Sequence, residues 1–136
     1  MTNDLILLID RLESEHVEVL DAVASLRPAI AGRDGAALQS ALAASEQIFG
    51  KALNVHSETE DVDLFPQLAP LIGDEMVSMF VQEHVRIRAL RDQVYRRMRQ
   101  GEADFDGCAE LCDLLGDHMD REDQVLFPSA RGLLAD

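Results

Sequence analysis

Two segments of this 136-residue chain read almost alike: His56–Pro66 is HSETEDVDLFP and His118–Pro128 is HMDREDQVLFP. Both fit H-x-x-x-E-D-x-x-L-F-P. In each, a histidine precedes a glutamate by four residues, His56 before Glu60 and His118 before Glu122. Four residues is about one turn of an α-helix, so imidazole and carboxylate share a face and can reach the same metal ion. The other two histidines, His16 and His84, lie in further helix-like segments, inside a second repeat: Glu15-His16-Val17 and Glu83-His84-Val85.

All four histidines fall on the apolar face of their segments. Two carboxylates on such faces need compensating positive charge, because a buried, unpartnered carboxylate is costly or takes up a proton. A metal supplies that charge, and neutral imidazoles complete the ligand set without adding more. Nitrogen and oxygen donors without thiolate suit iron, manganese or zinc. Four His and two Glu are too many for one tetrahedral zinc. They suit two metals bridged by both carboxylates, with an oxo or hydroxo ligand balancing the remaining positive charge. Cys108 and Cys112 match no zinc spacing and read as reduced core residues.

Four helices must position these groups. The first runs from Asn3 or Asp4 to Gly32 and buries Leu5, Ile9, Leu12, His16, Leu20 and Val23, with Pro28 bending or ending its last turn. The second starts at Asp34 as N-cap, presents Leu38, Leu42, Phe49, Leu53, His56 and Glu60, and breaks near Pro66. Gln67–Ile72 is expected as a short turn or helical fragment. The third runs from Asp74 to Gly101 with Val77, Phe80, His84, Ile87 and Val94 inward; its closing Arg96, Arg97 and Arg99 suit a helix C-terminus. The fourth starts at Asp104, presents Leu111, Leu114, Leu115, His118, Glu122 and Val125, and ends or kinks at Pro128 before a tail. Short loops make neighbours antiparallel, so the expected fold is an all-α, up-down-up-down four-helix bundle in one domain, 1–136.

The net charge of −14 disfavours nucleic acid and anionic membranes as partners. No segment resembles a signal peptide or reaches membrane-spanning length, so the cytoplasm is the expected compartment.

The doubled H-x-x-x-E-D-x-x-L-F-P, with one further His on each of the other two helices, resembles the hemerythrin-like (HHE cation-binding) family over nearly the whole chain. The resemblance implies a non-haem di-iron centre in a four-helix bundle. His16, His56, His84 and His118 would bind iron, and Glu60 and Glu122 would bridge the two ions. Asp61 and Asp123 would lie outside the ligand set, and the two Leu-Phe-Pro segments would close the bundle below the site.

Two positions depart from oxygen-carrying hemerythrins. The second histidine one turn after the helix-three His is Arg88 here. The family's bridging Asp, five residues after the helix-four His, corresponds to Asp123, while Glu122 at four is the better geometric match. Arg88 lies about 40° from His84 around an ideal helix and is expected either to snorkel to solvent or to pair with Glu13 or Asp63 and cap the site's edge. Asp63 is an alternative extra ligand, on a stripe with His56 and Glu60.

The implied function is binding or sensing of dioxygen or a related small oxidant such as nitric oxide or peroxide. Loss of a histidine moves the expectation away from a pure carrier. A di-iron enzyme or iron-handling protein of nitric-oxide or peroxide stress is the alternative. Tyr95, the only tyrosine, lies too far from the metals to serve as a proton donor. A metal-responsive interaction module and a zinc-bound or metal-free structural bundle are further readings.

Overall fold

The computed structural model describes residues 2–135, and the chain is helical along almost all of that length. In order come α1 (Thr2–Ala31), α2 (Gly35–Ala44), α3 (Leu53–Thr59), α4 (Phe65–Ile72), α5 (Asp74–Arg99), α6 (Phe105–Arg121) and α7 (Phe127–Leu134). Wide π-helical turns at Ile48–Ala52, Glu60–Leu64 and Glu122–Leu126 lead from one helix into the next. α1 packs on α2 and α6, and α5 on α4 and α6. Among the described residues no helix is long and apolar enough to cross a membrane.

The turns between these elements follow from local chemistry. α1 closes through Asp34 N–H to Ala29 O and Arg33 N–H to Ile30 O, with Arg33 in the left-handed region at φ 48°. Asp34 then caps α2, its side chain accepting from Ala37 N–H at 3.1 Å. Gly101, at φ 78°, makes the same kind of stop after α5, with Glu102 N–H bonded to Arg97 O. Asp104 caps α6 through Gly107 N–H at 2.9 Å.

Pro28 lies in the last turn of α1 and Gln67–Ile72 falls in a short helix, both as expected, but Pro66 and Pro128 do not stop the helix. α1 continues through Pro28 to Ala31, within a single turn of its end. Helix also continues beyond Pro66 and Pro128, as α4 and α7. Proline removes a donor and crowds the carbonyl four residues back. Just before each of these two prolines the ladder has already widened: Phe65 N–H bonds Glu60 O, and Phe127 N–H bonds Glu122 O, each five residues back. The wide turn puts Glu60 with Leu64, and Glu122 with Leu126, inside, and leaves Val62, Asp63, Gln124 and Val125 exposed. Val125, expected on the inward face, is therefore 48% exposed.

The apolar core is divided in two. One layer contains Val19, Leu26, Leu42, Phe49, Leu53, Val94, Leu111 and Leu115. The other contains Leu5, Ile9, Leu12, Leu64, Phe65, Leu68, Phe80, Leu126 and Phe127. The buried histidines and glutamates belong to neither layer.

Arg91 is the other buried charge of note. Its Nη1 donates to Phe49 O at 3.0 Å and to Asn54 Oδ1. The Phe49 carbonyl needs that donor because Leu53 N–H bonds Gly50 and Ile48 instead. Arg91→Met leaves these acceptors without it and is expected to cost about 1–3 kcal/mol in chemical denaturation; an unshifted midpoint would contradict this. Cys108 and Cys112 are buried and free, and burial pushes their thiols up to about 12 and about 11. Thiolate is the reactive form, so both should resist a disulfide reagent at neutral pH and react only on unfolding. Rapid native labelling would show that this layer opens readily.

Candidate metal centre

Four helices each deliver one histidine: His16 from α1, His56 from α3, His84 from α5 and His118 from α6. Glu60 and Glu122 are the first residues of two π-helical turns. All six are buried, and both glutamates are 0% exposed. They form two groups that share both carboxylates: His16, His56, Glu60 and Glu122, and Glu60, His84, His118 and Glu122.

The ring orientations repeat. Each Nδ1 faces an acidic side chain: His16 to Asp123 at 2.8 Å, His56 to Glu15 at 2.8 Å, His84 to Asp61 at 2.7 Å and His118 to Glu83 at 2.7 Å. A carboxylate at Nδ1 holds the proton there, so a neutral ring turns a bare Nε2 lone pair inward. The Nε2 atoms then meet in pairs, His16 with His56 at 3.1 Å and His84 with His118 at 3.1 Å. Two lone pairs at that distance repel unless a proton or a cation lies between them.

The glutamates complete each group. Glu60 Oε1 lies 3.0 Å from His84 Nε2 and 3.6 Å from His56 Nε2. Glu122 Oε1 lies 3.2 Å from His16 Nε2 and 3.3 Å from His118 Nε2. Each carboxylate thus approaches one histidine of each pair. Yet none of the four glutamate oxygens receives an aligned hydrogen bond. Close approach without alignment is what converging ligands show. Donors bound at about 2.0–2.2 Å sit about 2.8–3.6 Å apart for octahedral to tetrahedral angles, and these contacts lie in that range. The donor set therefore fits two hard or borderline cations.

Without a cation the carboxylates divide the work. Burial, together with the negative charge of Glu122, drives the Glu60 carboxyl well above its usual range, favouring its protonated form. Burial also opposes ionisation of Glu122, but contacts with Glu60, His118 and His16 outweigh it and keep Glu122 well below. Burial disfavours charge on His16 and His118, yet Glu122 and their outer carboxylates raise both. Burial, aided by the charge of His16, lowers His56 despite Glu15.

The phenylalanines of the repeated motifs do more than close the bundle. Phe127 stacks on His16 at 5.7 Å between ring centroids, and Phe65 on His84 at 5.8 Å. Phe80 meets the His118 ring edge-on at 5.4 Å. Three of the four imidazoles thereby pack against an aromatic ring.

The six residues expected from the sequence come together, and Glu122 rather than Asp123 stands in the inner groups. Asp61 and Asp123 lie outside those groups, and each reaches a histidine of another helix. Glu15 and Glu83 were missed as functional residues, though the Glu-His-Val repeat was their signal. Asp63 is exposed and in neither group, because the wide turn rotates it outward. Arg88 approaches neither expected partner: its Nη1 is 4.0 Å from Asp61 Oδ2, and Glu13 instead pairs with Arg131. Tyr95 donates to Leu42 O at 2.8 Å within the first apolar layer.

Glu60→Leu should separate stability from metal binding. It removes a buried carboxyl whose oxygens receive no aligned hydrogen bond, but also the contact that helps keep Glu122 ionised, so the chelator-treated protein should change in stability by less than about 1 kcal/mol while metal uptake falls. A variant strongly destabilised without metal would show that the Glu60–Glu122 contact holds this layer together.

A protein family described as the hemerythrin HHE cation binding domain matches residues 7–130. No curated protein and no solved structure matches the chain.

Proposed function

Because the chain belongs to the hemerythrin HHE cation-binding domain family, we propose that it is a non-haem di-iron protein that binds or senses dioxygen or a related small oxidant. The observation that carries this reading is the pair of buried glutamates without hydrogen bonds, shared by two imidazole pairs with Nε2 turned inward. His16 and His56 would hold one ion and His84 and His118 the other, with Glu60 and Glu122 common to both. Four protein donors per ion leave coordination positions open for a small exogenous ligand. When bound, an iron pair supplies the electrons and the open positions that such a ligand requires.

The chain's own residues set the conditions. Asp123, Glu15, Asp61 and Glu83 fix each imidazole tautomer and make Nε2 a stronger donor. The apolar layers and the stacked Phe65 and Phe127 limit water and proton access from the core. A cleft of roughly 310 Å³ lined by Glu15, Val19, Ala52, Val55 and His56 offers a route to the His16–His56 side. The contacts of α1 with α2 and α6, and of α5 with α4 and α6, support an up-down-up-down bundle around the centre. Arg88 turns to Asp61 and adds no donor, so the centre keeps four histidines, which favours sensing or oxidant handling over a pure carrier role.

Anaerobic loading with ferrous ion should give about two irons per chain. Oxygen or azide should then produce new absorption bands. His118→Ala should lower the iron content. One zinc per chain, or no iron after anaerobic loading, would point instead to a structural bundle. Steady consumption of peroxide or nitric oxide would favour the enzyme reading.

A further inference from the structure

We infer that the two ion positions are unequal, and that the His16–His56 position holds a divalent cation more tightly than the His84–His118 position. This rests on the two-ion reading above. The inner donors match in type, two imidazoles and the same two glutamates at each position, and differ in geometry only at Glu60, which lies nearer His84 than His56. The difference lies one step out, in what stands behind the four carboxylates that hold the Nδ1 atoms.

Behind the His84–His118 pair both carboxylates face arginine. Glu83, on His118, is engaged at its other oxygen by Arg121. The Arg121 guanidinium also lies 5.7 Å above the Phe80 ring, which itself packs on His118. Asp61, on His84, has Arg88 Nη1 at 4.0 Å. Both arginines are only about one-third exposed, at 36% and 35% of their side chains.

Behind the His16–His56 pair the balance differs. Among the described residues, no arginine or lysine lies within 4.0 Å of Asp123, on His16; Arg131 is occupied by Glu13 and Asp10. Glu15, on His56, has Arg11 at 3.3 Å, but that arginine is 55% exposed and screened by water.

A carboxylate at Nδ1–H pushes electron density to Nε2 and strengthens it as a ligand. A guanidinium on the same carboxylate draws that density back and directly repels an incoming cation. Both effects act more strongly on the His84–His118 position. That position should fill last and exchange first, so a one-ion form accumulates when metal is scarce.

The test is anaerobic titration of the chelator-treated chain with cobalt(II), followed by its visible spectrum and by competition with a chelator. The expected result is two steps about tenfold apart in affinity. His118→Ala should remove the weaker step and His56→Ala the tighter one. Arg121→Gln should strengthen the weaker step and narrow the gap about three- to tenfold. Arg88→Gln should do the same to a smaller degree, and Arg11→Gln should leave the gap unchanged or wider. Circular dichroism checks that each variant is folded. Two equal steps in the parent chain, or a gap unmoved by both Arg121→Gln and Arg88→Gln in folded protein, would overturn the inequality while leaving the two-ion reading intact. One cobalt per chain, or none, would overturn both.

Discussion

Two glutamates placed in the core with no hydrogen bond are the constraint around which this chain is organised. A buried carboxylate is tolerated only with a proton, a donor or a cation beside it. Glu60 and Glu122 receive no aligned donor, and burial pushes the Glu60 carboxyl well above its usual range. The pair is flanked by four inward nitrogens, two on each side, with aromatic rings packed against three of the imidazoles. The division of the core into two apolar layers follows, since no aliphatic side chain can occupy the space where these six groups converge.

The outer carboxylates tie this polar layer into the fold. Glu15 on α1 holds His56 on α3, and Glu83 on α5 holds His118 on α6. Asp123, just past α6, holds His16 on α1, while Asp61, just past α3, holds His84 on α5. The two halves of the chain repeat one scheme, in which Glu-His supports the next helix and Glu-Asp reaches across to the other half. Tautomer, ring rotation and helix packing are therefore set by the same four contacts. The arginines behind them do not follow the repeat, and there the near-symmetry of the centre ends.

The π-helical turns connect the motif to this arrangement. Those at Glu60–Leu64 and Glu122–Leu126 each begin at a glutamate and come just before a Phe-Pro pair. Widening the helix ahead of proline relieves the crowding that would otherwise break it, and it sends the residue after each glutamate toward a neighbouring histidine. The same widening carries Leu64 and Leu126 inward beneath the carboxylates and brings Phe65 and Phe127 against His84 and His16.

By itself, the sequence determined the helical class, most of the inward positions and the six converging residues. Helical periodicity and i,i+4 spacing are local, and the doubled motif repeated them in each half. It also marked the stops at Gly32–Asp34 and Gly101–Asp104, where capping chemistry is contained in a few adjacent residues. What it did not determine was anything that depended on one helix facing another. Straight-helix geometry placed Val125 inside and kept Asp63 on the histidine stripe, and proline alone marked a break near Pro66, because the widening of a helix is not visible in residue spacing. The pairing of Arg88 with Asp61, and the service of Glu15 and Glu83 to histidines about forty residues or one helix away, were decided only in the tertiary structure. Which carboxylate meets which ring depends on the rotation and register of packed helices, and no local pattern encodes that.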